Sequence, residues 1–210
     1  MPPNAYAAPR LMNNTDNAEK RVRPLFVIIA FPAVVVIGLA LDLKTKDWAF
    51  DSLGLPGEYR RQTEPELQGV YWLLTDVCGF QTSLNPGALF GMGAGRSGLF
   101  AVLSFVALVG ILGWVIHSAW KSRLLAITLA MITAGILGNL YDRLGLHGLR
   151  WNYADDLHRL GDPAYAVRDW ILVMIGSYHW PNFNIADSLL VCGTILLVLH
   201  AVFEKEDKAA

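Results

Sequence analysis

The sequence predicts an α-helical polytopic membrane protein with four spanning helices and a small extramembrane sheet. Three observations carry that expectation. Of 210 residues, 54% are hydrophobic and only 17% charged, and mean hydropathy is +0.38, which does not suit one soluble domain of this length. Four apolar stretches reach the length of a membrane span. The two long segments between them are too large to be simple connectors.

A spanning helix satisfies its own backbone across about 30 Å of hydrocarbon, which takes about 20 mostly apolar residues. The first such stretch is 25–43. It follows a polar tail, 1–24, whose Pro-, Asn- and Ala-rich part (1–17) reads as disordered. It ends in Leu41-Asp42-Leu43-Lys44 with no small-residue cleavage pattern, so it reads as an uncleaved span. In the loop 42–96, Gly69-Val70-Tyr71-Trp72-Leu73-Leu74 reads as a strand, with β-branched and aromatic residues between turn formers. The second span, 97–120, and the third, 124–141, are joined by Lys121-Ser122-Arg123, a turn so short that the helices must be antiparallel neighbours. Ala130, Ala134 and Gly138 recur every four positions on the third, a stripe that admits a closely packed helix. A second long loop, 142–183, leads to the fourth span, 184–203, and a short tail, 204–210. The whole of 25–203 reads as a single domain.

Orientation follows from the basic residues. The two tails and the short turn hold 8 of the 17 Lys and Arg in 34 positions, and the two long loops hold the other 9 in roughly three times that length. Both termini are therefore expected in the cytoplasm and both long loops on the opposite side. Trp48, Trp120, Trp151, Trp170 and Trp180 fall near span ends, where amphipathic rings suit the headgroup level, although Trp151 reads equally well as a core aromatic. A net charge of −1 gives no electrostatic footprint for nucleic acid. Cys78 and Cys192 stand in unlike settings and suggest neither a disulfide framework nor a zinc module.

Ionisable groups at membrane depth cost about 2.5 to 3.5 kcal/mol on insertion scales, so they are functional candidates by default. Asp42 and Lys46 close the first span at i and i+4 and read as an ion pair. Asn139, Asp142 and Arg143 close the third; Asn184 and Asp187 open the fourth. All lie at the non-cytoplasmic ends. Asn139 and Arg143 read as groups that orient a carboxylate, and Asp187 as either a helix cap or a reactive acid. No Ser/Lys or Ser/His pair and no H-E-x-x-H motif stands out, and His117 and His200 lie toward the cytoplasmic ends. Paired carboxylates remain, one serving as general base and the other as general acid. Asp187 needs a second Asp.

At these residues the chain resembles the bacterial lipoprotein signal peptidases, or signal peptidase II. Leu41-Asp42-Leu43-Lys44-Thr45-Lys46 is similar to the family's L-D-Q-x-S-K, with Leu43 in place of Gln. Asn85-Pro86-Gly87-Ala88-Leu89-Phe90-Gly91 is similar to N-x-G-x-x-F, Gly138-Asn139-Leu140-Tyr141-Asp142-Arg143 to G-N-L-x-D-R, and Phe183-Asn184-Ile185-Ala186-Asp187-Ser188 to F-N-x-A-D-S. The resemblance implies four membrane helices with a β-cradle, and an aspartic endopeptidase that removes signal peptides from diacylglyceryl-modified prolipoproteins. It also implies that Asp187 is one catalytic acid. The other, in the family's V-x-D-F, is best matched by Asp169 in Val167-Arg168-Asp169-Trp170, with Asp155 and Asp156 of the long 144–168 stretch as competitors.

Water between Asp169 and Asp187 would attack the scissile carbonyl, while Asn85, Gly87, Asn139, Arg143 and Asn184 position peptide or acids, Asn85 being aimed at the substrate backbone by Pro86. Asp42, Lys46 and Asp142 are counted with the orienting groups. No metal or organic cofactor is called for. The expected partners are the lipid-modified precursor and membrane lipid, not nucleic acid, for a monomer in the bacterial inner membrane with its site at the outer face. Two other functions fit the same polar residues: a small proton-coupled transporter or channel, and a non-enzymatic assembly factor. Against the transporter, no internal repeat is visible and the polar groups gather at one side.

Overall fold

In the computed structural model, which describes residues 14–56, 70–87, 93–118 and 122–209, the four apolar stretches are helices. These are α1 (Asn14–Leu53), α2 (Ser97–Ser118), α3 (Arg123–Arg143) and α4 (Ile185–Ala209). Each includes a stretch long and apolar enough to cross a membrane. With 40 residues at about 1.5 Å each, α1 is about 60 Å long, twice the hydrocarbon thickness. Its extra length corrects the expected boundaries at both ends. Residues 14–24 of the expected tail are helical, and the helix runs past 43 to Leu53, so Asp42 and Lys46 sit inside continuous helix instead of closing it. Residues 1–13, Trp120 and Lys121 lie outside the described residues.

The helix α3 is the centre of the bundle. Of its most apolar window 56% is buried, against 6%, 11% and 11% for the corresponding windows of α1, α2 and α4. A helix enclosed by others can carry polar groups that lipid would not tolerate, which is why α3 has the lowest hydropathy of the four and holds buried Thr128, Thr133, Asn139 and Asp142. Its small residues set the spacing. A Cβ on Gly135 would stand 2.5 Å from the Ala186 carbonyl of α4, and one on Gly138 would collide with the Asp42 carboxylate of α1. On the other side, α2 leaves Val102, Phe105, Val106 and Ile116 exposed, as a lipid-facing surface requires.

Off one end of the bundle lies a four-stranded antiparallel sheet in the order β1-β2-β3-β4: β1 (Tyr71–Leu74), β2 (Cys78–Asn85), β3 (Val167–Ile175) and β4 (Tyr178–Phe183). The outer pairs are sequence-local hairpins. The central pairing of β2 with β3 joins the two long loops, setting Ser83 opposite Asp169 and Asn85 opposite Val167. The sheet is fastened to the end of α1 by Trp48, whose ring meets Phe80 and Trp170 edge-on at 5.3 and 5.7 Å. Strand β4 runs straight into α4 with only Asn184 between them.

The stretch 144–166 is folded, not a loose connector. Arg150 pairs with Pro163, the Trp151 N–H donates to the Asp162 carbonyl at 2.9 Å, and the Ala164 N–H donates to the Leu149 carbonyl at 3.0 Å. Trp151 is 3% exposed and Trp170 7%, in one cluster with Phe50, Leu84 and Ala166. Both rings are core of the extramembrane part, which corrects the placement of Trp170 at the membrane edge and decides for Trp151 in favour of the core reading. Trp48 and Trp180 remain half exposed.

Candidate active site

Asn184 is the N-cap of α4 and Asp187 its third residue, and they cap each other. The Asn184 side-chain oxygen accepts the Asp187 N–H at 2.9 Å, while Asp187 Oδ2 accepts the Asn184 N–H at 3.2 Å. This is the reciprocal capping box, with Asn and Asp as its two members. The Asp187 carboxyl is thereby fixed at the positive end of the helix. Its other oxygen, Oδ1, accepts from Asn139 Nδ2 at 2.8 Å. Both readings of this acid, cap and site residue, therefore describe one geometry.

Asp169 comes to the same place from β3. Its Oδ1 accepts from Asn184 Nδ2 at 2.7 Å, and its Oδ2 from Asn85 Nδ2 at 3.4 Å. Asn184 thus touches both acids, through its amide nitrogen on one side and its carbonyl oxygen and backbone N–H on the other. Asp169 is 3% exposed. Burial, and after it the charge of Asp187, pushes its carboxyl well above the ordinary carboxylate range. Asp155, by contrast, sits in an exposed turn, where Oδ1 accepts the N–H groups of Leu157 and His158, both at 2.8 Å. Asp156 is exposed beside it. Neither stands beside Asp187.

Beneath the two acids lies a buried ionic network. Lys46 Nζ reaches Asp42 Oδ2 at 2.7 Å and Asp142 Oδ2 at 2.9 Å, all three side chains being fully buried. Arg168 Nε continues it to Asp142 Oδ1 at 2.9 Å, and Arg168 Nη1 to the half-exposed Asp47 at 2.7 Å. The buried part holds two cations and two anions, so it closes without net charge, the condition under which burial of ions is tolerable. Asp42 Oδ1 also accepts the Ala186 N–H at 2.8 Å, tying α1 to the first turn of α4.

The network sets the orientation of the amide above it. Lys46 also donates to Asn139 Oδ1 at 3.3 Å. An ammonium has donors only, so the Asn139 oxygen must face it and the NH2 must face Asp187. The Asn184 amide, donating to the same Asn139 oxygen at 3.2 Å, agrees with that assignment.

Two orienting residues make contacts that spacing alone does not show. Asn85 is folded onto its own turn, its Oδ1 accepting the Gly87 N–H at 3.0 Å and its Nδ2 directed at Asp169. Arg143 donates to the Gly87 carbonyl at 3.4 Å, while the charges of Asp187 and Asp169 act on its guanidinium. Residues 88–92 of the third motif lie outside the described residues. Among the described residues, no group of three or more His, Cys, Asp or Glu side chains is set to hold a metal ion.

All these side chains fall within 34–203, the residues matched by the family model for signal peptidase (SPase) II. The chain belongs to the signal peptidase II family. Curated relatives named lipoprotein signal peptidase include one from Rhodopirellula baltica, 41% identical over 82% of this chain and 74% of its own length. Another, from Polynucleobacter necessarius, is 32% identical over 87% of this chain and 95% of its own. A solved bacterial membrane enzyme shares the fold at a TM-score of 0.65, with 21% identity, over 85% of this chain and 91% of the other. The chain is thus a multi-pass membrane peptidase of the aspartic, signal peptidase II type.

Within this signal peptidase II, Arg168 and Asp47 extend the ionic network beneath the acids, and sequence reasoning missed both. Arg168 looks like a strand surface residue, but alternation along β3 turns it opposite to Asp169, toward α1. Asp47 directly follows Lys46, and that adjacency becomes informative only once α1 is known to continue beyond 43.

Proposed function

We propose that this peptidase removes the signal peptide from diacylglyceryl-modified prolipoproteins, with Asp169 and Asp187 acting together on one water. The observation that carries the reading is Asn184, which hydrogen-bonds both carboxyls and so holds acids from separate elements as a pair. Two close carboxyls cannot both ionise cheaply, and they share one proton near neutral pH. The proton resides on Asp169, which burial and the Asp187 charge disfavour as an anion. Asp187 is then the acid that serves as base, held by N–H donors on both oxygens at the start of α4.

The reaction then balances with no further group. Asp187 takes a proton from water as its oxygen attacks the scissile carbonyl, and Asp169 gives its proton to the carbonyl oxygen. Collapse of the gem-diol breaks the C–N bond: the leaving amine takes the proton held by Asp187, and Asp169 takes a hydroxyl proton back as the carbonyl re-forms, which restores the pair. Gathering the site at the C-terminal ends of α1 and α3 and the start of α4 suits a precursor whose signal helix and acyl chains remain in the bilayer. With both termini cytoplasmic, that end faces outward, as the distribution of Lys and Arg supports.

The test is processing of a diacylglyceryl-modified precursor by Asp169→Asn and Asp187→Asn variants that insert and express normally. Each is expected to lose about 10⁴-fold or more in rate, the upper range for a positioned acid or base. Wild-type rates in either variant would refute the assignment.

A further inference from the structure

Beside the paired acids is a cavity of about 600 Å³, bounded by the N-terminal end of α2, the turn after β2 and the folded stretch 144–166. We propose that it receives the segment of the precursor that follows the lipid-bearing cysteine, and that it makes the enzyme selective for that segment. The inference rests on the peptidase reading above.

Four observations support it. The cavity adjoins the site: Pro86, which lines it, follows Asn85, the neighbour of Asp169, and Arg143, which also lines it, is acted on by the charges of both acids. Its size suits a few residues of extended chain, within the ~300–1,000 Å³ usual for ligand pockets. Its walls hold polar atoms with nothing to bond: Ser97 Oγ, on a side chain 8% exposed, and Arg143 Nε are both buried without a hydrogen-bond partner among the described residues. Such groups cost stability unless something meets them, and an extended peptide offers a carbonyl at each residue. Finally, the outer wall is rigid. Trp151 is buried in the core and stacks on His158 at 3.7 Å, so this wall is a preformed surface.

The chemistry of the precursor selects this occupant. Its signal helix and acyl chains are apolar and belong in the bilayer, whereas the chain beyond the cysteine is the part that must leave the lipid. A cavity at the extramembrane end of the helices, its walls mixing apolar Leu144, Trp151 and Leu157 with Arg143 and Asp162, fits a peptide, which brings apolar side chains and backbone carbonyls together.

Gly98 provides the test, because it lines the cavity and a Cβ there meets nothing within 4 Å. Two diacylglyceryl-modified peptides with the same signal sequence are compared, one ending at the lipidated cysteine amide and one continuing for six residues. The wild type is expected to cleave the longer with about tenfold higher kcat/KM, about 1.4 kcal/mol. Gly98→Leu is expected to abolish that preference while leaving the short peptide unchanged, which also reports an intact fold and site. Ser97→Ala, which adds no bulk, is expected to lose part of the preference in the same way. Equal cleavage of the two peptides by the wild type overturns the proposal, as does an equal loss on both in Gly98→Leu and Ser97→Ala, the result expected if a membrane lipid headgroup occupied the cavity. Cleavage of neither by the wild type contradicts the peptidase reading itself.

Discussion

Asn184 and Lys46 are the residues on which the site geometry depends most, for different reasons. Removing the amide in Asn184→Ala takes a hydrogen bond from Asp169 and the cap from Asp187. The expected loss is about 10²-fold in kcat, toward the lower end of what positioned acid–base groups contribute. KM should change little, since Asn184 addresses the acids; steady-state kinetics in mixed micelles check both. Lys46→Met leaves Asp42 and Asp142 buried without their shared cation, and breaking a buried pair costs about 3–5 kcal/mol. Asp47→Ala removes only a half-exposed partner of Arg168 and should cost under about 1 kcal/mol. Denaturation of the two variants in detergent measures the contrast. Asp42, Lys46, Asn139, Asp142, Asn184 and Asp187 were legible in sequence, because charge and amide groups beside apolar runs are too costly to be incidental. What each one touches was not, since the contacts of Asn85 and Arg143 depend on a turn and a strand register that spacing alone does not specify.

The elements were legible to different degrees. Four spans follow from hydropathy, but their ends do not, because α1 and α3 continue into protein-covered surroundings where polar residues cease to mark a boundary. Only one strand, β1, was visible; β3 owes its pairing to β2, far away in sequence, and such non-local partners leave little local trace. The α3 stripe predicts that Gly138→Ala, whose added methyl would meet the Asp42 carboxylate, destabilises by about 1–3 kcal/mol, as overpacking does. The stretch 144–166 carries a pH response. His147 Nδ1 accepts the Leu149 N–H at 3.0 Å, so the ring must be unprotonated there, and burial lowers its pKa below the usual imidazole value. A lowered value means that this contribution is complete above about pH 6.5 and is lost as pH falls through the lower, folded value. The protection factor of the Leu149 amide against hydrogen exchange should fall over that acid range, and His147→Gln should remove that fall.

For the molecule as a whole, the fold brings an acid of β3 and an acid of α4 to one end of a helical bundle, joined through Asn184 above a buried, charge-balanced base. Raised proton affinity at Asp169 predicts that the alkaline limb of kcat against pH lies above the ordinary carboxylate range. Weakening the support of Asp187 in Asn139→Ala should move that limb, whereas Asp47→Ala should not. The joint action of the acids is tested most directly by comparing cleavage rates of Asp169→Asn, Asp187→Asn and the double variant on one lipid-modified precursor. Groups that work as a unit lose nearly everything when either is removed, so all three variants should fall by about the same factor. Losses that multiply in the double variant, or a single variant that keeps most of its rate, would contradict the account.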